Sequence, residues 1–174
     1  MLINILKLAT TNEIDIIMKI ITDAKTYLRQ QGLSQWNLAD GYPGINDILK
    51  DIENNQLYLY IENNEILGVM SIVIRPDENY EEIDGSWLTT DKYASIHRIA
   101  TKTHHKGLGV KMLLEAEEII KTKNIFSIKI DTHKINIPMS STIKKCGYTY
   151  CGVIKLKRCT EDNLRDAYEK RLTR

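Results

Sequence analysis

The segment from Ser95 to Lys121 constrains the fold more than any other part of the chain, because it predicts a strand, a turn and a helix in direct succession. The strand contains the apolar residues Ile96, Ile99 and Ala100, and the helix is an amphipathic run that begins at two glycines. The connecting turn is basic. A strand that leads directly into a helix N-terminus brings backbone N–H groups without helical partners to the end of the strand.

The turn itself has the composition of an anion site. Gly107 and Gly109 lack Cβ atoms, so an outside group can approach their N–H bonds closely. The partial positive charge of the helix N-terminus favours an anion, and basic side chains add to it. These side chains are His104, His105, Lys106 and Lys111. The composition favours a phosphate or diphosphate ligand, and a glycine turn with solvated lysines is the alternative.

Spacing excludes two common phosphate-binding motifs. The Walker pattern Gly-x-x-x-x-Gly-Lys-Ser/Thr is absent from the turn. The dinucleotide fingerprint would need a third glycine where the chain has Met112. A nucleotide-phosphate binder is therefore disfavoured.

Composition limits the classes to which the chain can belong. Its 174 residues predict a single domain over residues 1–174 with one core. A net charge of +1 gives no global attraction for nucleic acid or an acidic membrane, and no apolar run approaches the roughly 18 residues of a membrane span. The N-terminus lacks the features of a signal peptide, so we expect a cytoplasmic protein with no nucleic-acid or membrane partner. The three cysteines have no Cys-x-x-Cys spacing, and neither disulfides nor a metal site is predicted.

Periodicity elsewhere predicts the element order βααβββαβαββ, and so an α/β fold around a mixed, mostly antiparallel sheet with one parallel pair beside the glycine turn. Apart from the central strand that begins at Ser95, the predicted strands cover residues 2–9, 56–61, 65–74, 125–131, 148–156 and 165–171. The predicted helices cover the stretch from Thr10 or Thr11 to Gly32, residues 45–53, the run after the glycines and residues 136–145. Residues 77–93 are predicted to be a long irregular segment.

Two stretches resemble motifs of one family. The sequence His104-His105-Lys106-Gly107-Leu108-Gly109 resembles the coenzyme A pyrophosphate loop of the GNAT acetyltransferases, Arg/Gln-x-x-Gly-x-Gly/Ala at a strand-to-helix junction. Asn136, Lys145 and Gly147-Tyr148 match the frame of a second GNAT motif, Asn-x-x-Ala-x-x-x-Tyr-x-Lys-x-Gly-Phe. The element order is also that of the GNAT fold, so the chain is similar to this family over its whole length.

The resemblance implies a GNAT-like acyl-CoA N-acyltransferase fold and direct transfer of an acetyl group from acetyl-CoA to a primary amine of a small molecule or peptide, without a metal. It implies that the central strand, the turn and the start of the helix bind the cofactor, with backbone N–H groups of the strand meeting the oxyanion. Asn136 would hydrogen-bond the pantetheine arm or fix the loop that does so, and a helix N-cap is the alternative role for it. The implied cofactor contacts are Ile99, Ala100, Thr101, His104, His105, Lys106, Gly107, Leu108, Gly109, Val110, Lys111 and Asn136.

Several positions depart from the family motifs, and the loop between the strand and the glycines looks about two residues shorter than is usual in the family. Two of the departures bear on the chemistry. His104 stands at the first position of the pyrophosphate motif, and Ile143 stands where many members have the tyrosine that protonates the leaving thiolate. Isoleucine cannot donate a proton. The thiolate would instead meet a side-chain hydroxyl or water, or depart directly, since a thiol pKa of about 8.5 makes a tolerable leaving group. The hydroxyl candidates are Ser140, Ser141 and Tyr168.

An acceptor amine must also lose a proton before it attacks. His97 on the central strand is the candidate base, with a core histidine as the alternative. Glu81, Glu82 and Asp84 of the long segment are the other candidates, either as bases or as negative charges that attract a cationic acceptor. For the acceptor contacts the sequence suggests one polar and four aromatic side chains. They are Gln35, Trp36, Tyr42, Tyr80 and Trp87, and the two tryptophans have core packing as their alternative.

Two functions remain open from the sequence. The first is a catalytic N-acetyltransferase. The second is a catalytically weak or inactive coenzyme A binding or sensing module, which the departures at His104 and Ile143 motivate. Exposed strand edges near the C-terminus allow a homodimer.

Overall fold

The structure is a computed structural model that describes residues 5–36, 41–102 and 105–174. The strands are β1 (Ile5–Leu8), β2 (Leu57–Glu62), β3 (Glu65–Val73), β4 (Asp84–Gly85), β5 (Ala94–Thr101), β6 (Ser127–Thr132), β7 (Thr149–Lys155) and β8 (Leu164–Arg171). The helices are α1 (Ile14–Gln30), α2 (Ile45–Glu53), α3 (Leu108–Thr122) and α4 (Ile137–Lys145).

This architecture confirms the predicted fold class, a mixed and mostly antiparallel sheet flanked by helices. The predicted order βααβββαβαββ is present with one addition, the two-residue strand β4 inside the segment predicted to be irregular. The predicted parallel pair is β5 with β6, in which Ala94 is opposite Ile128. The first residues of the predicted strand 2–9 lie outside the described residues.

The chain divides into two compact units, so the prediction of a single domain stays a prediction. Unit 1 comprises Met1–Ile72 and His97–Glu115, and unit 2 comprises Val73–Ile96 and Ala116–Arg174. Strand β5 and helix α3 each contribute residues to both units.

Unit 1 contains α1, α2 and the strands β1, β2 and β3, followed by the second half of β5. Strands β1, β2 and β3 are antiparallel, with Ile5 opposite Ile61 and Leu57 opposite Ser71. A capping box between Thr10 and Glu13 starts the 3₁₀ turn that leads into α1. The apolar stripes of α1 and α2 pack on the sheet. Their shared core consists of Ala9, Ile17, Ile20, Ile21, Ile48, Leu57, Leu59, Val69 and Ala100.

Unit 2 contains the first half of β5 and the strands β6, β8, β7 and β4 in that order. Strand β8 is antiparallel to both of its neighbours, β6 and β7. A smaller core forms around Tyr80, Ile154 and Ala167, with partly buried apolar side chains packed against it. Within the described ranges, no helix combines the length and apolar character needed to cross a membrane.

Candidate active site

The basic turn leads into α3 as the sequence predicts, and Gly107 is the residue that makes the turn possible. Its φ of +76° is left-handed backbone, which favours glycine, and a Cβ built there would meet no atom within 4 Å. Helical hydrogen bonding begins when Lys111 N–H donates to the carbonyl oxygen of Gly107, at 3.2 Å. The N–H groups of Leu108 and Gly109 therefore precede the first helical bond, which is the arrangement that binds anions at helix N-termini.

The residues around this turn differ in their exposure to solvent. Leu108 is buried and anchors the start of α3, whereas His105, Lys106 and Gly107 are exposed. The Nζ atom of Lys111 lies 2.8 Å from the Glu62 carboxylate, and the hydrogen bond to Glu62 raises the pKa of Lys111. That ammonium group is thus paired with β2. His104, predicted as a cofactor contact, lies outside the described residues.

Strand β5 reaches the turn with one irregularity, at Arg98. Its φ of +50° is left-handed backbone within a strand. Beyond it, Lys102 N–H donates to the Leu67 carbonyl of β3 at 2.8 Å. Because alternate residues of a strand direct their N–H groups to the same side, the N–H groups of Ile99 and Thr101 point away from β3. Ala100 between them is buried.

Arg98 belongs to a partly buried polar network with three other residues of unit 1. Its Nε and Nη2 atoms donate to the two carboxylate oxygens of Asp51, at 2.6 and 2.8 Å, and Nη1 donates to the Tyr42 hydroxyl at 2.8 Å. The Ser71 hydroxyl also donates to Asp51. Burial alone would lower the pKa of Arg98, but Tyr42 and Asp51 together raise it, so the guanidinium stays charged.

This network was not predicted from the sequence, although the position of Asp51 in the helical pattern of α2 indicates a buried carboxylate. Asp51 follows Ile48 by three residues and precedes Ile52 by one, so the helical period places a carboxylate on the apolar face of α2. A charged residue at such a position is rarely buried without a partner. Nothing local indicates that the partner is Arg98, which lies 47 residues along the chain.

Three further residues that the sequence suggested as a base or as acceptor contacts lie in unit 1. His97 immediately precedes Arg98 and is half-buried. Gln35 and Trp36 are half-buried after α1, and Trp36 packs against the core of unit 1. The Trp36 ring therefore has the packing role that the sequence left as its alternative. Its contact with an acceptor stays a prediction.

In unit 2, Tyr80 is a core residue, and the half-buried Trp87 packs against that core. Tyr80 is buried and its hydroxyl donates to Asp131 at 2.6 Å, while the Trp87 indole N–H donates to the Tyr80 carbonyl at 3.0 Å. The Lys129 ammonium lies 4.2 Å from the Trp87 ring centre. These contacts give both rings a structural role in packing unit 2. A contact of either ring with an acceptor stays a prediction.

The predicted acidic candidates of unit 2 are exposed. Glu81, Glu82 and Asp84 all lie at the surface, and Glu81 pairs with Lys157 at 3.3 Å. Their role as bases stays a prediction. Across the described residues, no cluster of three or more histidines, cysteines, aspartates or glutamates is arranged to hold a metal ion.

Helix α4 contains the second motif. Asn136 is its N-cap and accepts from Met139 N–H at 3.2 Å, which is the alternative role noted for it, and its contact with pantetheine stays a prediction. The Ser140 hydroxyl is buried and donates to the Ile137 carbonyl at 3.1 Å. Ile143 is fully buried. Tyr168 is also buried, in edge-to-face contact with Tyr150.

Comparisons with known proteins agree with the family that the sequence resembles. A sequence model of the acetyltransferase (GNAT) family matches residues 19–148. A crystal structure of a GNAT-family acetyltransferase from Streptococcus agalactiae 2603 has a TM-score of 0.89 and 32% identity, covering 98% of this chain and 96% of that one. The uncharacterized N-acetyltransferase YesJ of Bacillus subtilis (strain 168) is 23% identical over 149 residues, 83% of this chain and 81% of YesJ.

A more distant structural neighbour contains ligands. The structure of AAC(6')-Ib in complex with ribostamycin and coenzyme A has a TM-score of 0.67 and 16% identity. The match covers 97% of this chain and 93% of that one. At this identity the likeness shows a shared fold.

Proposed function

The chain belongs to the GNAT acetyltransferase family, and we propose that it is an N-acetyltransferase that moves an acetyl group from acetyl-CoA to a primary amine of a small molecule or peptide. The observation that supports this most directly is the open turn at Gly107, in front of the first helical hydrogen bond of α3. The coenzyme A complex of AAC(6')-Ib on the same fold supports the choice of cofactor.

In this proposal the diphosphate of acetyl-CoA binds at the start of α3. The N–H groups of Leu108 and Gly109 donate to it, and the exposed His105 and Lys106 supply nearby positive charge. A side chain at position 107 would occupy the space that the diphosphate needs, which gives glycine there a second role beside its backbone conformation.

The acetyl group would lie along β5. The amine nitrogen attacks the thioester carbonyl carbon, a C–N bond forms, the C–S bond breaks, and the thiolate leaves with the electron pair. The N–H groups of Ile99 and Thr101, which point away from β3, are the donors for the oxyanion. The attacking nitrogen gives up one proton to a base, for which His97 on the same strand is the candidate, and coenzyme A leaves as thiolate or thiol.

A small-molecule or peptide amine is the proposed acceptor class. Ribostamycin in the AAC(6')-Ib complex supports a small-molecule amine. Tyr42 is the acceptor contact that the geometry of unit 1 favours, because Arg98 holds its hydroxyl in place from β5.

The test is release of free thiol from acetyl-CoA in the presence of a panel of primary amines. We expect amine-dependent thiol release that saturates with both substrates. A reaction without amine corrects for hydrolysis and for the protein's own free cysteines, of which Cys159 is partly exposed. Acetyl-CoA binding measured by calorimetry, with no thiol release for any amine, would replace this function with the second candidate.

That second candidate is a coenzyme A binding or sensing module with little or no turnover. One observation favours it: the position of the usual family tyrosine holds the buried Ile143, whose hydrocarbon side chain has no proton to donate. General-acid help typically accelerates a reaction by about 10²–10⁴. Its loss slows transfer without preventing it, because a thiolate can depart unaided near neutral pH.

A further inference from the structure

Arg98 has a backbone conformation that its residue type does not favour. Among the described non-glycine residues with positive φ, all but two are asparagine or aspartate, which tolerate left-handed backbone. The two exceptions are Trp36 and Arg98. A residue of this kind stays left-handed only where its surroundings hold it, and such residues cluster at functional sites.

The side chain of Arg98 makes an ionic contact. Asp51, in the last turn of α2, is buried and binds the guanidinium through both carboxylate oxygens, at 2.6 and 2.8 Å. A two-point pair of this kind fixes direction as well as distance. The hydroxyl of Ser71 on β3 donates to the same carboxylate and completes its hydrogen bonding.

The same guanidinium reaches a third element. Its Nη1 donates to the Tyr42 hydroxyl at 2.8 Å, and Tyr42 lies 56 residues before Arg98 in the segment between α1 and α2. One side chain therefore connects the left-handed residue of β5, the end of α2 and the proposed acceptor contact. Ile99, the first proposed oxyanion donor, is the next residue after Arg98.

We propose that Asp51 and Arg98 are positioning residues of the acyl-transfer step, an inference that rests on the proposed function. The pair holds β5 left-handed at residue 98, and so directs the N–H of Ile99 at the oxygen of the thioester as negative charge develops there. Through Tyr42 it also fixes the side from which the amine approaches. Neither residue donates or accepts the reacting proton.

A set of four variants tests this role. Asp51→Asn keeps the shape of the side chain and removes its charge. Arg98→Ala and Arg98→Gly both remove the guanidinium, but only glycine adopts positive φ without strain. Glu65→Gln is the control, because it removes an exposed ion pair with Lys102, 2.6 Å long, just beyond the end of β5.

The expected kinetic result is an order among the variants. A misplacement of about 1 Å lowers rates by roughly 100-fold, so we expect kcat to fall about 30-fold in Asp51→Asn and Arg98→Ala and only about 5-fold in Arg98→Gly. The dissociation constant for acetyl-CoA, measured by calorimetry, stays within about 2-fold of the parent because the turn at Gly107 is unchanged. Glu65→Gln retains the parent kcat. Circular dichroism confirms that each variant is folded at the assay temperature.

If the pair had a purely structural role, the kcat of Arg98→Gly would not exceed that of Arg98→Ala. Glycine is normally no more favourable than alanine within a strand, so equal kcat values for Arg98→Gly and Arg98→Ala would overturn the proposal. Parent-level kcat in folded Asp51→Asn would overturn it as well.

An infrared measurement separates this inference from the proposed function. The carbonyl stretch of bound [1-¹³C]acetyl-CoA is expected to move to lower frequency in the parent protein, and back toward the free value in Asp51→Asn. If no amine is acetylated but the shift is present and lost in the variant, the function fails and the positioning role stands. If turnover occurs without any shift, the positioning role fails alone, and absence of acetyl-CoA binding would overturn both.

Discussion

Replacing Gly107 by aspartate is expected to weaken the binding of acetyl-CoA about 100-fold. The new carboxylate would stand at the open side of the turn, where the diphosphate is proposed to bind, and would repel it at close range. The residue must also adopt the φ of +76° that the turn requires. Isothermal titration calorimetry with acetyl-CoA measures the effect directly.

Two controls separate charge from backbone strain. Gly107→Asn has nearly the same size and tolerates left-handed backbone equally well, so it should lose clearly less affinity than Gly107→Asp. Gly32 at the end of α1 has a φ of +73° and equally open surroundings, so Gly32→Asp should leave acetyl-CoA affinity unchanged. Equal affinities for the asparagine and aspartate variants at position 107 would show that no anion binds at this turn.

Much of the fold was predictable because most elements have a strong period. Helix α2 begins and ends where its amphipathic pattern predicts. Each end of β2 and β3 lies within one residue of its predicted position. The addition, β4, has only two residues and therefore no period. Its existence depends on a contact between Gly85 and Gly152, which are far apart in the sequence.

The site was predictable only where its chemistry is local. The turn at Gly107 is encoded by neighbouring residues, so its glycine and its basic flanks predict it. The pair of Asp51 and Arg98 depends on a contact between two side chains 47 residues apart in the sequence, which no local pattern reveals. For Tyr80 and Trp87 the difficulty is different: an aromatic ring in an irregular segment is equally suited to binding a ligand and to covering a core. The structure shows the Tyr80 ring in the core of unit 2 and the half-buried Trp87 ring packed against that core.

Replacing Gly152 by alanine is expected to lower the free energy of unfolding by about 3 kcal/mol. A Cβ atom at this position would overlap the Asp84 carbonyl oxygen and lie 2.9 Å from Gly85 Cα, both of them backbone atoms that cannot move as a side chain can. The backbone φ of +143° also disfavours any residue other than glycine. Urea unfolding followed by circular dichroism measures the change.

The control for this second prediction is Gly147→Ala, which introduces a Cβ at a φ of +83° but no closer than 3.8 Å to its nearest neighbour. It is expected to cost only about 1 kcal/mol, the contribution of the backbone conformation alone. If Gly152→Ala is no more destabilising than Gly147→Ala, the clash is relieved by separation of β4 from β7. That outcome has its own signature, because separation breaks the 2.9 Å hydrogen bond from Ser86 N–H to the Cys151 carbonyl and the Ser86 amide would then exchange rapidly with solvent.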